Sequence, residues 1–290
     1  MRILVIGGTR FVGRAYVETA FAAGHEVTLF NRGQTNADLF PEIERVRGDR
    51  GVDLSVLAGR TWDAVFDPAC YLPRVARISA EALENATRHY AFVSSLSVYD
   101  DLTTTGQDES GRLATILDPT DEEINDETYG ALKVLAEQEV QRVFGERALV
   151  LRPGFITGPY DSIDRMPYWQ GGVFNLCAPA EPHPLGRILE TCRDVTGSDA
   201  AFTWVSAEFL SGNGLDAEEA LPYWEAPEYV ALTRLDPSKA LAAGLPVRPL
   251  DVSITDTWAW DRTRSGAPLR EGIGVSPERE AELLAAWHAQ

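Results

Sequence analysis

Tyr129 and Lys133 are four residues apart in the stretch TYGALK (128–133), and together they could exchange protons with a substrate. On a helix, positions i and i+4 share a face, so both side chains would point the same way. A nearby ammonium favours the phenolate and lowers the pKa of a tyrosine from its usual value of about 10. The phenol can then give a proton to a carbonyl oxygen or take one from an alcohol. A chance match is rare, because Lys133 and Lys239 are the only lysines in the sequence.

A hydroxyl group that binds the reacting oxygen is expected near this pair. The segment FVSSLSVY (92–99) offers Ser94, Ser95 and Ser97 just after a predicted strand. Position alone does not choose among these three serines.

The segment VIGGTRFVG (5–13) follows a predicted strand and opens a helix, as a dinucleotide-binding glycine turn does. Gly7 permits a sharp turn, Gly13 lets the helix pack closely on the sheet, and the free N–H groups at the helix start would hold a pyrophosphate. A glycine turn without a ligand is the alternative. The predicted contacts with the cofactor in this segment are Gly7, Thr9, Arg10, Phe11, Val12 and Gly13.

The second predicted strand ends at Phe30 and is followed by Asn31 and Arg32, where an NAD site usually carries an acid for the ribose 2′-hydroxyl. An arginine instead matches a 2′-phosphate. Arg10 and Arg32 converging there favour NADP, with NAD possible and a solvated loop charge as the alternative for Arg32. We expect Asn31 to contact the cofactor as well, and Asp49 to accept from the adenine amino group.

The elements that must position these groups alternate between strand and helix. This alternation predicts an α/β fold, a Rossmann-like doubly wound parallel sheet that binds ligands at the carboxyl ends of its strands. An acidic loop over residues 100–128 is either a functional flap or a surface excursion, and Ser276-Pro277 predicts the start of a C-terminal helix. The predicted strands are 2–6, 26–30, 43–47, 64–67, 89–94 and 148–152, and the predicted helices are 11–23, 75–86 and 132–143.

Composition restricts the class of protein. The net charge of −18 disfavours nucleic acid as a partner. We expect no membrane span and no signal peptide, and so a cytoplasmic protein. Three cysteines and four scattered histidines predict neither a disulfide framework nor a metal site.

Four motifs in this order, GGTRFVG, FVSSLSVY, YGALK and LRPGFITGPY, resemble the extended short-chain dehydrogenase/reductase family of the NAD-dependent epimerase/dehydratase type. The segments DPSKA (236–240) and GLP (244–246) resemble that family's C-terminal lobe. The resemblance implies that Ser95 binds the reacting oxygen, that Tyr129 is the acid–base, and that Lys133 tunes it and binds the nicotinamide ribose. It also implies hydride transfer on a small molecule, a sugar nucleotide or a bulky metabolite. A homodimer through Leu135–Val143 and the 75–86 helix is expected by analogy.

Two features depart from the family pattern. The spacing GGxRxxG resembles an atypical branch that includes chloroplast stem-loop-binding proteins. Only eleven residues, 160–170, separate Gly158-Pro159 from the segment GGVFN (171–175), too few for the usual helix and strand. Either the C-terminal substrate lobe is shortened, or the sequence omits a stretch of the chain.

The expected division is a Rossmann domain over 1–152, with 171–200 returning to it, and a substrate-binding lobe over 153–170 and 201–290. Tyr160, Tyr168, Trp169 and Phe174 would line a bulky-substrate site or belong to the core. The sequence leaves reduction, epimerisation and dehydration open. The rival functions are a cofactor-binding protein without redox turnover, which binds RNA or regulates, and a non-redox lyase or isomerase on the same scaffold.

Overall fold

The computed structural model describes residues 1–154, 156, 172–176, 183–215, 234–264 and 275–289, the segment 172–176 by its backbone alone. Seven parallel strands form one sheet in the order β3-β2-β1-β4-β5-β6-β7. The strands are β1 (Arg2–Ile6), β2 (Glu26–Asn31), β3 (Glu44–Arg47), β4 (Trp62–Asp67), β5 (Thr87–Val93), β6 (Ala148–Pro153) and β7 (Gly172–Leu176). The helices of this half are α1 (Phe11–Ala22), α2 (Pro73–Leu83) and α3 (Tyr129–Phe144).

Both faces of the sheet are apolar, because successive residues of a strand point to opposite sides. Leu4 and Ile6 of β1 belong to the core that α2 and α3 cover, whereas Ile3 and Val5 belong to the core under α1. A strand buried on both faces has to be hydrophobic without interruption, as RILVI in β1 nearly is. The predicted Rossmann-like doubly wound sheet is therefore confirmed.

The strand order reverses between β1 and β4, so the carboxyl ends of these two strands border a crevice where ligands bind in such sheets. The predicted strands and helices of this half match the observed elements to within a few residues. The largest differences in these helices are three residues: α3 begins at Tyr129 rather than at the first periodic apolar residue, Leu132, and α2 ends at Leu83 rather than at Ala86.

The first part of the acidic loop is tied to the sheet domain by backbone hydrogen bonds. Tyr99 and Leu113 form an antiparallel bridge, and Ala114 N donates to Val98 O at 2.8 Å. Gly106 N donates to Arg234 O, and Asp236 N donates to Gln107 O. These bonds connect the part of the loop from Tyr99 to Ala114 to neighbouring backbone, and the choice between a functional flap and a surface excursion stays open.

The chain divides into two compact units, Met1–Pro182 with Ala231–Val247, and His183–Val230 with Arg248–Gln290. The first holds the sheet and α6 (Ser238–Ala242). The second holds α4 (Leu185–Thr196), α5 (Ala207–Gly212), α7 (Leu250–Asp261) and α8 (Pro277–His288). The predicted helix start at Ser276 is present, since Ser276 Oγ accepts from Arg279 N. The division into a cofactor domain and a substrate lobe stays a prediction.

Residues 160–170, on which the expected shortening of the lobe rests, lie outside the described part of the chain, and so do Tyr160, Tyr168 and Trp169. Phe174 lies in β7, where only the backbone is described. Across the described residues, no helix is both long and apolar enough to cross a bilayer.

Candidate active site

The glycine turn between β1 and α1 forms a cradle that only glycine can build. Gly7 and Gly8 have φ values of +108° and +84°, a region that residues with a side chain rarely adopt. A Cβ on Gly13 would lie 3.0 Å from Gly8 Cα, so the helix packs directly on the turn. The first N–H groups of α1 have no partner within the helix and face the crevice side of the sheet. This geometry fits the pyrophosphate of a dinucleotide.

The other predicted contacts of the turn are arranged around this cradle. Thr9 and Val12 are each 7% exposed, and Phe11 begins α1 with a φ of +44°. Arg10 precedes α1 and is exposed, with no hydrogen bond from its side chain to the helix start.

Two asparagine side chains donate hydrogen bonds to the backbone of the glycine turn. Asn31 Nδ2 donates to Gly7 O at 2.7 Å, while Asn31 Oδ1 accepts from Gly33 N at 3.0 Å. Asn36 Nδ2 donates to Thr9 O at 2.7 Å. Asn31, predicted to contact the cofactor, thus also holds the turn in shape. Asn36 could not be found from the sequence, because its role depends on a φ of +47° that only the structure shows and that asparagine tolerates better than most residues.

Arginines gather at the carboxyl ends of β2 and β3. Arg32 is 62% exposed, and its Nη1 lies 4.0 Å from Asp49 Oδ2, while Asp49 Oδ1 accepts from Gly51 N. Arg47 is the register partner of Asn31, and its guanidinium passes over Gly33, so that a Cβ there would collide with it. Arg47 was missed because the β2–β3 register was needed to bring it beside Arg32.

Lys133 is the buried cation of the site. Its side chain is 2% exposed, and Nζ donates to Cys70 O and to Val93 O, both at 2.7 Å. Phe92 lies on one side, with Nζ 4.5 Å from its ring centroid. Burial lowers the pKa of Lys133 to about 8, because few water molecules remain to solvate the ammonium.

Tyr129 is the first residue of α3 and is half-buried. Its ring centroid lies 6.2 Å from that of Tyr71, and Lys133 Nζ lies 5.5 Å from the same Tyr71 ring. Both side chains therefore project on the side of α3 that faces the loop after β4. This agrees with the shared face expected from their spacing.

The serine segment meets the start of α3. Ser95 Oγ accepts from Ser97 N at 3.1 Å and lies 3.1 Å from Ser97 Oγ. Ser94 Oγ is buried and has no hydrogen-bond partner among the described residues. A Cβ on Gly130 would lie 2.0 Å from Ser97 O, so the glycine after Tyr129 lets α3 approach this turn. Ser95, Tyr129 and Lys133 thus belong to segments that converge at the ends of β4 and β5.

Two buried ion pairs flank these segments, and neither was foreseen from the sequence. Arg50 binds Asp67 through two hydrogen bonds, and the Tyr90 hydroxyl donates to Asp67 Oδ2 at 2.7 Å. Burial alone would raise the pKa of Asp67, but the charge and hydrogen bonds of Arg50, the hydrogen bond from Tyr90 and the charge of Lys133 together outweigh burial and lower the pKa.

The second pair joins β6 to α3. Arg152 Nη2 lies 2.7 Å from Glu137 Oε2, with both side chains less than 5% exposed, and Arg152 Nη1 also donates to the Tyr99 hydroxyl. Glu137 is one helical turn beyond Lys133. The pair and the Tyr99 hydrogen bond therefore connect α3 to the end of the serine segment.

Among the described residues, no group of three or more histidine, cysteine, aspartate and glutamate side chains could hold a metal ion.

A sequence profile of the NAD dependent epimerase/dehydratase family matches residues 3–170, which include the glycine turn, the serine segment and the Tyr129–Lys133 pair. This chain belongs to that family. It is an NAD-dependent enzyme with the Rossmann-like fold described above.

Among curated proteins, this member of the epimerase/dehydratase family is 31% identical over 165 residues to the 2′-dehydrokanamycin reductase of Streptomyces kanamyceticus. The match covers 54% of this chain and 43% of the relative, less than half of its length.

Solved structures share the fold at low identity. The UDP-N-acetylglucosamine 4-epimerase of Methanobrevibacter ruminantium M1, solved in complex with UDP-N-acetylmuramic acid, superposes with a TM-score of 0.65 at 15% identity, covering 91% of this chain and 98% of that one. The Bordetella bronchiseptica enzyme WbmG, in complex with NAD and UDP, gives 0.65 at 16% identity, covering 95% and 99%.

Proposed function

We propose that this enzyme transfers a hydride between a nicotinamide cofactor and a carbonyl or alcohol carbon of a small molecule, with Tyr129 as acid–base. The observation that carries the proposal is the buried Lys133 ammonium on the same face of α3 as Tyr129, at the strand ends next to the glycine turn. A cation in this place stabilises a phenolate and makes a tyrosine useful near neutral pH.

Each residue has a separate task in this reaction. When bound, the nicotinamide ring supplies or accepts the hydride. Tyr129 Oη gives its proton to the carbonyl oxygen in reduction and takes it from the hydroxyl in oxidation. Ser95 Oγ donates a hydrogen bond to the same oxygen, and so stabilises the charge that develops there. Lys133 Nζ has a third N–H beyond the two bound by Cys70 O and Val93 O, and this one serves the phenolate or the nicotinamide ribose.

The cofactor assigned to the site is NADP, with NAD as the alternative. Gly7, Gly13 and the N–H groups of Thr9, Phe11 and Val12 hold the pyrophosphate, and Asp49 accepts from the adenine amino group. Arg10, Arg32 and Arg47 supply guanidinium groups where the 2′-phosphate would lie, in place of the acid typical of NAD sites. This arrangement also suits the atypical GGxRxxG branch of the family.

The substrate class that the comparisons favour is a sugar derivative. The neighbours in complex with UDP-sugars support a sugar nucleotide, and the relative named as a reductase supports simple reduction of a bulkier metabolite. The charge of −18 disfavours RNA binding as the main function, since polyphosphate backbones are repelled.

We also propose a cytoplasmic homodimer that uses α2 and the Leu135–Val143 part of α3, which pack side by side and carry exposed faces. Light scattering with gel filtration measures this, and a monomer at micromolar concentration contradicts it.

Replacing Tyr129 with phenylalanine tests the catalytic proposal. We expect Tyr129→Phe to keep NADPH affinity, measured by fluorescence titration, and to lose at least about a hundredfold in turnover, the range of general acid–base catalysis. Turnover is followed by NADPH oxidation with 4-keto sugar nucleotides and keto-aminoglycosides. Full activity in Tyr129→Phe contradicts the assigned role. Turnover without net change in cofactor absorbance excludes simple reduction and leaves epimerisation, which returns the hydride, or a non-redox lyase or isomerase.

A further inference from the structure

Tyr71 is an exposed aromatic residue beside Tyr129 and Lys133. It lies in the loop between β4 and α2, and 46% of its surface is exposed. Most large aromatic side chains of this half are buried, including Tyr90, Tyr99, Phe66 and Phe92. An exposed tyrosine offers a ligand both an apolar ring face and a hydroxyl.

The backbone that carries Tyr71 is held on both sides. Cys70 O accepts from Lys133 Nζ at 2.7 Å, and Cys70 Sγ donates to Leu72 O at 3.6 Å. Leu72 O also accepts from Ala76 N, and Pro73 begins α2. The ring therefore stands on a short, fixed turn, which costs little conformational entropy when a ligand binds.

The ring touches both catalytic side chains of α3. Its centroid is 6.2 Å from that of Tyr129, at an interplanar angle of 44°, and 5.5 Å from Lys133 Nζ. The ammonium thus lies between the closed ring of Phe92, at 4.5 Å, and the open ring of Tyr71. Of these two rings, Phe92 is fully buried and only Tyr71 is open to a ligand from solvent.

We propose that Tyr71 is a substrate-binding residue, whose exposed ring packs against the C–H face of a saturated sugar ring and sets the distance of that ring from Tyr129. The inference rests on the proposed function, because Tyr71 would bind the substrate in the same site as Tyr129 and Lys133. A flat apolar surface suits the axial C–H groups of a pyranose, while its hydroxyls stay free for polar partners.

Saturation-transfer NMR titrations with UDP-glucose and with methyl α-D-glucopyranoside as probes test this on the NADPH-loaded protein. We expect transfer to the hexose protons in the unmodified enzyme and in Tyr71→Phe, which keeps the ring. In Tyr71→Ala the dissociation constant of the hexose should rise about threefold to tenfold, the range of an aromatic contact. Phe21→Ala is the matched control, because Phe21 is 44% exposed at the far end of α1, and it should change nothing.

The inference is overturned by no transfer from the unmodified enzyme to either hexose, by equal affinity in Tyr71→Ala, or by equal loss in Phe21→Ala. NADPH affinity should be the same in all variants, and a loss of it in Tyr71→Ala also overturns the inference, since the ring would then serve the cofactor. Failure of the proposed function is seen separately, as full turnover of Tyr129→Phe, and leaves the binding result intact.

Discussion

Along the carboxyl edge of the sheet, the charged side chains of one half are mostly exposed and those of the other half are buried. We call the ends of β1, β2 and β3 the cofactor edge and the ends of β4, β5 and β6 the catalytic edge. At the cofactor edge the side chains of Arg32 and Asp49 are 62% and 46% exposed, and the exception is Arg50, which is 15% exposed because it pairs with Asp67 of β4. At the catalytic edge they are buried, 2% exposed for Lys133, 1% for Glu137 and 0% for Asp67.

This difference separates recognition from chemistry. Exposed guanidinium groups are solvated, so they bind an anion with little cost to the fold and are screened by salt. Buried charges lose their hydration and persist only with complete partners. Lys133, Arg152 and Asp67 each have such partners, and variants there should affect folding and catalysis together. Variants at the cofactor edge should affect ligand affinity alone.

The largest effect is expected from breaking a buried pair. In Glu137→Gln the guanidinium of Arg152 loses its counter-charge inside the protein, which should destabilise the sheet domain by about 3–5 kcal/mol. Hydrogen exchange of the β5 and β6 amides measures this locally, and so avoids assuming that both compact units unfold together. The matched control is Glu18→Gln, which breaks the partly exposed Arg14–Glu18 pair on α1 and should cost less than about 1 kcal/mol. Equal losses of stability in both variants would show that burial does not decide the cost of breaking an ion pair here.

The sequence could predict the parts of the site that are local. Gly7 and Gly13 are recognisable because one turn requires them, and Tyr129 and Lys133 because one helical turn relates them. The partners of the buried charges could not be predicted, since they join distant positions: Lys133 to Cys70, 63 residues apart, and Tyr90 to Asp67, 23 residues apart. The position of Arg47 beside Asn31 follows only from the β2–β3 register, and the position of Tyr71 beside Tyr129 follows only from the path of the loop after β4.

A second effect, of intermediate size, is the pH dependence that Lys133 causes. As pH rises, activity should fall while folding stability should rise. Burial lowers the pKa of Lys133 to about 8 from the ordinary 10.5, so the ammonium is lost in the folded enzyme as pH rises past about 8. We expect kcat/KM for carbonyl reduction to fall above that pH, because the cation that stabilises the phenolate disappears.

Between these two pKa values the unfolded chain binds more protons at this position than the folded one, so the contribution of Lys133 to folding stability rises with pH. Lys133→Met should lose both dependences and most of the activity. The measurements are a pH–rate profile and urea unfolding from pH 7 to 10.5. If the pH–rate profile of Lys133→Met keeps its inflection near pH 8, that inflection belongs to another group.

The smallest effect is expected at the cofactor edge, where exposed arginines should change ligand affinity without changing stability. Arg47→Ala and Arg32→Ala should each weaken NADPH binding about fivefold to twentyfold, the contribution of a solvent-exposed charge-assisted contact, and leave NADH affinity and thermal stability unchanged. Raising the salt concentration should reduce the difference between NADPH and NADH, because exposed charges are screened. Arg60→Ala is a suitable control, since Arg60 is exposed and pairs with Glu44 instead. Equal weakening of both cofactors, or tighter NADH in the unmodified enzyme, would show that these arginines do not bind a 2′-phosphate.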